Sequence, residues 1–443
     1  MPVDQATLAC CRQYILNNDR HARVKRELWS NESGTYLGLQ DYILCLKAQG
    51  ISLEEAAANR QANAALSLHA PTFSTNSFEF SGTHSVLTDS KAGITVLAFA
   101  NVRNDLLAFA NAEGDLFLAQ LHPDSTSTVT QAERMHRRPI ASLDWSLDNT
   151  QLLSGGEDGL VIWDACTATA MRTINHACHS HVCCSRFYTP HCALALVGTS
   201  SGALEVMNCS SGTVDQSYKV PAPFRHSIQI TAVECSLQHV FAGDSEGTLH
   251  MYNAELAPKG QLHRLVWLTK IRTAANKQGS PVIAVQHVPF CGATDSPMLL
   301  VTTRDSTISI VALYQHNRMS MHTRCVVPPM ARNLRASVCP LSVIQDLPRV
   351  VMGSEDASVY IYNFSGAPQG NSSSVKNATG LLKGGLLLGN AVSAAAAVNA
   401  PLVMKALKGH RSPVGDVCWA FDESRLASGD LDGIVHVWER SII

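Results

Sequence analysis

The sequence predicts an all-β fold, a seven-bladed β-propeller behind a short α-helical N-terminal segment. Three observations predict it. One hairpin phrase recurs seven times, the early copies lie about 45 residues apart, and short alternating strands run ahead of several copies. The clearest copy is residues 425–438: an apolar strand, a tight turn at Leu431, Asp432 and Gly433, and an alternating strand ending at Trp438. The phrase returns at 152–163 and 350–362, more loosely at 196–207 and 241–252, and most weakly at 107–118 and 300–310. Aligned on the turn, the copies fall at Glu113, Asp158, Ser201, Glu246, Asp305, Asp356 and Asp432. The first three intervals are 45, 43 and 45 residues; the later ones, 59, 51 and 76, are the same unit carrying insertions. Alternating strands precede the turns at 140–145, 230–235, 282–287 and 414–419.

The chain of 443 residues is 46% hydrophobic and only 16% charged, which suits a sheet-rich globular body and excludes a disordered chain. A net charge of −2 gives no overall pull toward nucleic acid or membrane. There is no uninterrupted apolar run of about 18 residues, so no membrane span is expected. Nor is a secretory signal visible after Met1, and the protein is expected in the nucleus, the cytoplasm or both. The 14 cysteines include adjacent pairs, Cys10–Cys11 and Cys183–Cys184, and members of apolar strands, Cys235 and Cys418; they read as reduced, packed thiols.

The chain stops just after the third strand of the last blade. An open ring would leave a long unpaired edge, so a segment ahead of the first blade is expected to supply the fourth strand. Residues 79–89 are the right kind of segment, predicted to pair with 434–438. The domain division is therefore 1–73, helical, and 74–443, propeller. Within the first part, Leu39, Tyr42, Ile43 and Leu46 share one helix face, and Ser52 to Glu55 is a capping box. These helices read as an arm on the propeller or as a homodimerisation element. Four basic residues, Arg20, Arg23, Lys25 and Arg26, read as a solvated face or an import signal. Residues 365–401 form the longest insertion, polar at first and then Gly- and Ala-rich, and read as a flexible segment.

Gly409 and His410, followed by Ser428, Asp432 and Trp438, resemble the His–Ser–Asp–Trp tetrad of a WD-repeat blade. The resemblance implies a structural relay from carboxylate to imidazole to hydroxyl to indole, not a catalytic triad. His136, Ser154, Asp158 and Trp163 look equivalent in the second blade, with the Trp one residue earlier, so the turn or strand there must be tightened. The order of passages at 141–147, 204–208, 279–282, 338–341, 353–356 and 409–427 is similar to the WD repeat-containing protein 13 family. That likeness covers roughly residues 74–440 and not the first 70 or so. It implies a non-enzymatic, mainly nuclear protein of transcription- or chromatin-related complexes.

No phosphate loop, nucleophile elbow or paired-carboxylate scaffold is present, so no catalytic residue and no cofactor is expected. His176, Cys178, His179, His181, Cys183, Cys184, His191 and Cys192 are ligand types zinc uses. They lack paired spacing, and no metal site is assigned. Charge is uneven: between Pro258 and Arg335 ten basic residues stand against Asp295 and Asp305. Lys270, Arg272, Arg304, Arg318, Arg324 and Arg332 belong to this stretch, which reads as scattered surface charge or as one basic docking sector. The leading expectation is a scaffold that binds other proteins through the propeller rims. The alternative is a module holding an acidic protein segment or a nucleic-acid backbone on the basic sector.

Overall fold

The computed structural model describes residues 79–440, apart from 365–401 and shorter interruptions at 87–89, 123–126, 176–179, 189–192, 221–227, 257–261, 289–296, 315–316, 328–333 and 340–348, and at residues 102, 237, 277 and 422. The helices expected before residue 73, the insertion and Arg332 lie outside the described residues. Seven antiparallel four-stranded sheets form the blades of a propeller. Blade one comprises Ile94–Phe99, Leu106–Asn111, Leu116–Leu121 and Ser127–Gln131, and the next five repeat this order. Among the described residues there is no helix, so none is long and apolar enough to cross a membrane.

The sequence of each blade explains its layers. Inner, second and third strands are buried on both faces, as in Leu106–Asn111, where every residue is buried. Outer strands such as Thr169–Ile174 and Val214–Lys219 are largely exposed and carry the polar alternation. No blade has a core of its own. The buried apolar side chains fall into seven clusters, each lying between two successive blades and the last between blades seven and one. Each sheet is thus stabilised only when both neighbours are present.

Blade seven is built from both ends of the ring. Val414–Trp419, Arg425–Asp430 and Val435–Arg440 are its inner three strands, and Phe80–Val86 pairs antiparallel with Val435–Arg440 as the fourth. Val86 is fully buried in the seam between blades seven and one. Phe80 stacks on Trp419 at 6.2 Å and meets Trp438 edge-on at 6.4 Å.

Six of the seven inner strands carry a register shift after their first residue, between Ile94 and Val96, for instance, and between Val414 and Asp416. Such a bulge re-aims one side chain. Here the skipped residues, among them Thr95, Ala141, Cys183 and Thr231, line the central channel at the rim where the inner strands begin. That rim is the leading rim, and the opposite one, where the inner strands end, the trailing rim.

Deleting residues 80–86 is expected to abolish the single cooperative thermal transition of the full chain, read by circular dichroism and calorimetry. A truncated chain melting cooperatively at the parent temperature would show that the ring does not need this strand.

Candidate functional site

Among the described residues, polar side chains gather inside the blades, across the central channel and on the rims. The first group resembles a hydrolase triad and is not one. In blade seven His410 Nδ1 lies 2.8 Å from Asp430 Oδ2, its Nε2 2.7 Å from Ser428 Oγ, and Trp438 Nε1 donates to the same hydroxyl at 2.8 Å. The carboxylate of this relay is therefore Asp430, not Asp432, which is exposed at the turn tip. The cause is the turn. Asp430 ends the second strand, and its Oδ1 accepts the amides of Asp432 and Ile434, closing a three-residue turn. Asn111 and Asp244 occupy the same place and accept turn amides two and four residues on. An aspartate that caps the turn through one oxygen has the second free for an imidazole, as Asp430 and Asp244 do.

Blade two has Gly156 at that place, and the task passes to Asp158. Its Oδ1 lies 2.8 Å from His136 Nδ1, His136 Nε2 lies 2.7 Å from Ser154 Oγ, and Trp163 Nε1 donates to Ser154 at 2.8 Å. Gly156 pairs directly with Gly159, leaving a two-residue turn, so the missing residue is taken from the turn and the Trp keeps its register. Ser154 opposes Val161 as Ser428 opposes His436, and each Trp lies two residues beyond.

Gly409 has its own reason: a Cβ there would meet the Trp438 ring at 2.9 Å. Both serine hydroxyls are fully buried and accept an indole N–H, so they face no substrate. A further His–Asp pair, His250 Nε2 to Asp244 Oδ2 at 3.0 Å, belongs to blade four. It escaped sequence reasoning because His250 stands in the third strand rather than ahead of the inner one.

The polar side chains across the central channel were not anticipated from sequence. Asp144, Glu234 and Gln286 occupy the same position in the inner strands of blades two, four and five. Asp144 and Gln286 accept the backbone N–H of the following blade, from Phe187 at 2.7 Å and from Val338 at 2.9 Å, whereas Glu234 Oε1 accepts the Cys235 N–H of its own strand at 3.0 Å. One level nearer the leading rim, Ser142 and Asp416 likewise accept from the following blade, from Ser185 at 3.0 Å and Leu97 at 2.8 Å. Blade three has Arg186 in the first of these positions, 3.0 Å from Glu234 and 3.9 Å from Asp144. Burial pushes the Glu234 carboxyl up to about 7 against the pull of Arg186. It also pushes Asp416 up to about 6, against the pull of Arg335 and the amides of Leu97 and Val417. A polar residue at one fixed position of successive apolar strands is a signal that the sequence did carry.

Arg335, from the lead-in to blade six, crosses the channel. Its guanidinium donates to the Ala141 carbonyl of blade two and lies 3.9 Å from Asp416 of blade seven. It lines both a cavity of about 520 Å3 on the leading side and one of about 280 Å3 on the trailing side.

The expected basic sector is divided by strand direction. Arg272 ends the outer strand of blade four at the leading rim, Arg304 stands in a leading-rim turn, and Arg324 donates to the Arg272 carbonyl at 2.6 Å. Lys270 is two residues from Arg272 on the same strand. Arg318 begins the outer strand of blade five, opposite Tyr314, at the trailing rim. Six residues of strand place it about 20 Å from Arg324, so the sector is not a single patch. Of the cysteine- and histidine-rich stretch, 176–179 and 191–192 lie outside the described residues. The inner strand of blade three starts at Val182, so His181 precedes it, and Cys184 is buried.

A model of the WD domain, G-beta repeat matches residues 128–164 and 402–439, in each case the outer strand of one blade followed by the three inner strands of the next, blades two and seven, which hold the relays. Actin-interacting protein 1 of Caenorhabditis elegans is 23% identical over 277 residues, 55% of this chain and 44% of that protein. The WD repeat-containing protein 3 homolog of Dictyostelium discoideum is 26% identical over 42% of this chain and 18% of its own length. WD repeat-containing protein 3 of Mus musculus is 32% identical over 92 residues, 21% of this chain and 9% of its own. The matches thus span less than half the length of these relatives. The propeller domain of Myceliophteria thermophila Cps50 (Swd1) superposes with a TM-score of 0.58 at 15% identity, over 81% of this chain and all of that one, a likeness of fold.

Two outcomes are expected. Asp430→Ala strands the His410 imidazole and should cost roughly 2–3 kcal/mol in urea denaturation, whereas Asp432→Ala should stay within about 0.5 kcal/mol. Equal losses would reverse the assignment. Glu234 binds its proton more tightly folded than unfolded, so its contribution to stability is intact below its unfolded pKa of about 4.3. That contribution is withdrawn as pH rises through about 7. Between pH 5 and 8, the urea midpoint of Glu234→Gln should therefore fall less than that of the parent; identical slopes would count against the shift.

Proposed function

We propose, from the WD-repeat propeller that this chain forms, that it is a non-enzymatic scaffold holding several proteins together through its rims. WD40 propellers commonly bind other proteins, and the carrying observation here is where the polar groups go. The relays are consumed inside blades two and seven, and the channel carboxylates clamp one blade to the next. What remains for partners is two rims of unlike turns and the channel mouths. The likeness to the WD repeat-containing protein 13 family, carried by the passages at 204–208 and 338–341, supports placing the scaffold in nuclear transcription- or chromatin-related complexes. Pairing of two copies through residues 1–73 remains part of this reading.

A second reading, a module for an acidic segment or nucleic-acid backbone, is favoured by Lys270, Arg272, Arg304 and Arg324 sharing blades four and five near the leading rim. Affinity purification of the tagged full chain from nuclear and cytoplasmic fractions separates the two. Several stoichiometric proteins retained after nuclease treatment are expected. Recovery of nucleic acid alone, or of no stoichiometric protein, would end the scaffold reading.

A further inference from the structure

We propose that the leading mouth of the central channel receives a glutamate side chain from an extended acidic segment of a partner protein. This deepens the scaffold reading and rests on it. The cavity of about 520 Å3 falls within the roughly 300–1,000 Å3 of sites that enclose small ligands. It suits a side chain with a little backbone and is too small for a nucleic-acid duplex. Among the described residues its lining holds two charged side chains, Arg304 and Arg335, and no carboxylate. The acids of this rim, Glu157 and Asp432 among them, stand in turn tips outside the lining.

Arg335 forms the floor. One of its terminal nitrogens is taken by the Ala141 carbonyl and the other is 3.9 Å from Asp416, so its charge is partly balanced from the trailing side. Arg304 is exposed, and among the described residues no hydrogen bond or ion pair engages its side chain. Asp305 beside it is engaged by Thr303 Oγ1 at 2.5 Å and the Asn276 amide at 3.1 Å. One arginine is thus unpaired and the other only partly balanced, a cationic excess that a single carboxylate can meet. Ile94, Ile140, Val282, Ile283 and Leu431 supply an apolar wall. Such a wall welcomes the methylenes of glutamate and penalises a heavily hydrated dianion. Two arginines converging on one anion give charge-assisted hydrogen bonds in a partly enclosed site.

The test uses the immobilised full chain and libraries of short peptides with randomised flanks and a fixed central Glu, Gln or phosphoserine. The Glu library should be retained about tenfold over the Gln library, and the preference should vanish in Arg304→Met and in Arg335→Met. Arg304 lies in an exposed turn, so its variant keeps the fold; a thermal melt checks that Arg335→Met does. Equal retention of Glu and Gln overturns the inference, as does a Glu preference that survives both substitutions. A phosphoserine library or a single-stranded oligonucleotide that displaces the Glu library assigns the site to phosphate instead, and also overturns it. Affinity capture from cells separates this failure from that of the scaffold reading. If only the channel inference is wrong, parent and Arg304→Met capture the same stoichiometric partners; if the scaffold is wrong, neither captures any.

Discussion

The burial of each blade against its two neighbours is the interaction on which the rest of this molecule depends. A four-stranded sheet with apolar residues on both faces cannot be stable in water by itself. Seven such sheets solve the problem only by closing a circle, because an open array would leave two apolar faces and an unpaired edge. Hence the strand Phe80–Val86 is as much part of the last blade as Val435–Arg440, although more than 300 residues separate them. The fully buried Val86, together with Val435 and Val437, is where that closure is made.

Within this frame the polar side chains have two structural tasks. Some close the turn between second and third strands, and one of these, Asp430, also anchors an imidazole–hydroxyl–indole relay. Others reach sideways from one inner strand to the backbone of the next, at two levels of the channel. The clamps are not continuous around the ring. Ala98 and Ser337 stand where blades two, four and five have Asp144, Glu234 and Gln286. Arg186 and Arg335 enter the channel as cations among these carboxylates. Buried ionic groups of this kind are weak evidence for stability and good evidence of geometry, since each is tolerated only where its partners are in place.

The channel is consequently asymmetric. On the trailing side Arg186 and Arg335 face Asp144, Glu234 and Asp416. On the leading side the bulged residues are small, apolar or uncharged, and among the described residues that line the cavity the charged side chains are cationic. A chain with almost no net charge thereby holds a local positive site that composition does not announce.

The sequence by itself determined the number of blades, the position of every second-to-third turn and the need for a closing strand. Each is written in local pattern: alternation with period two, turn residues at fixed spacing, and a third strand left without a neighbour. It also carried the residues of both relays except one. Asp430 and Asp432 both flank the turn, and choosing between them requires knowing which carboxylate caps the turn, a matter of backbone geometry. Only the tertiary structure decided that Arg318 and Arg324 lie at opposite rims, because strand length converts a short sequence separation into distance. Likewise, only ring closure brings Arg335 of blade six across to Ala141 of blade two, 194 positions earlier. Local periodicity determines which residues share a sheet; which residues meet across the axis depends on a circle that no local window contains.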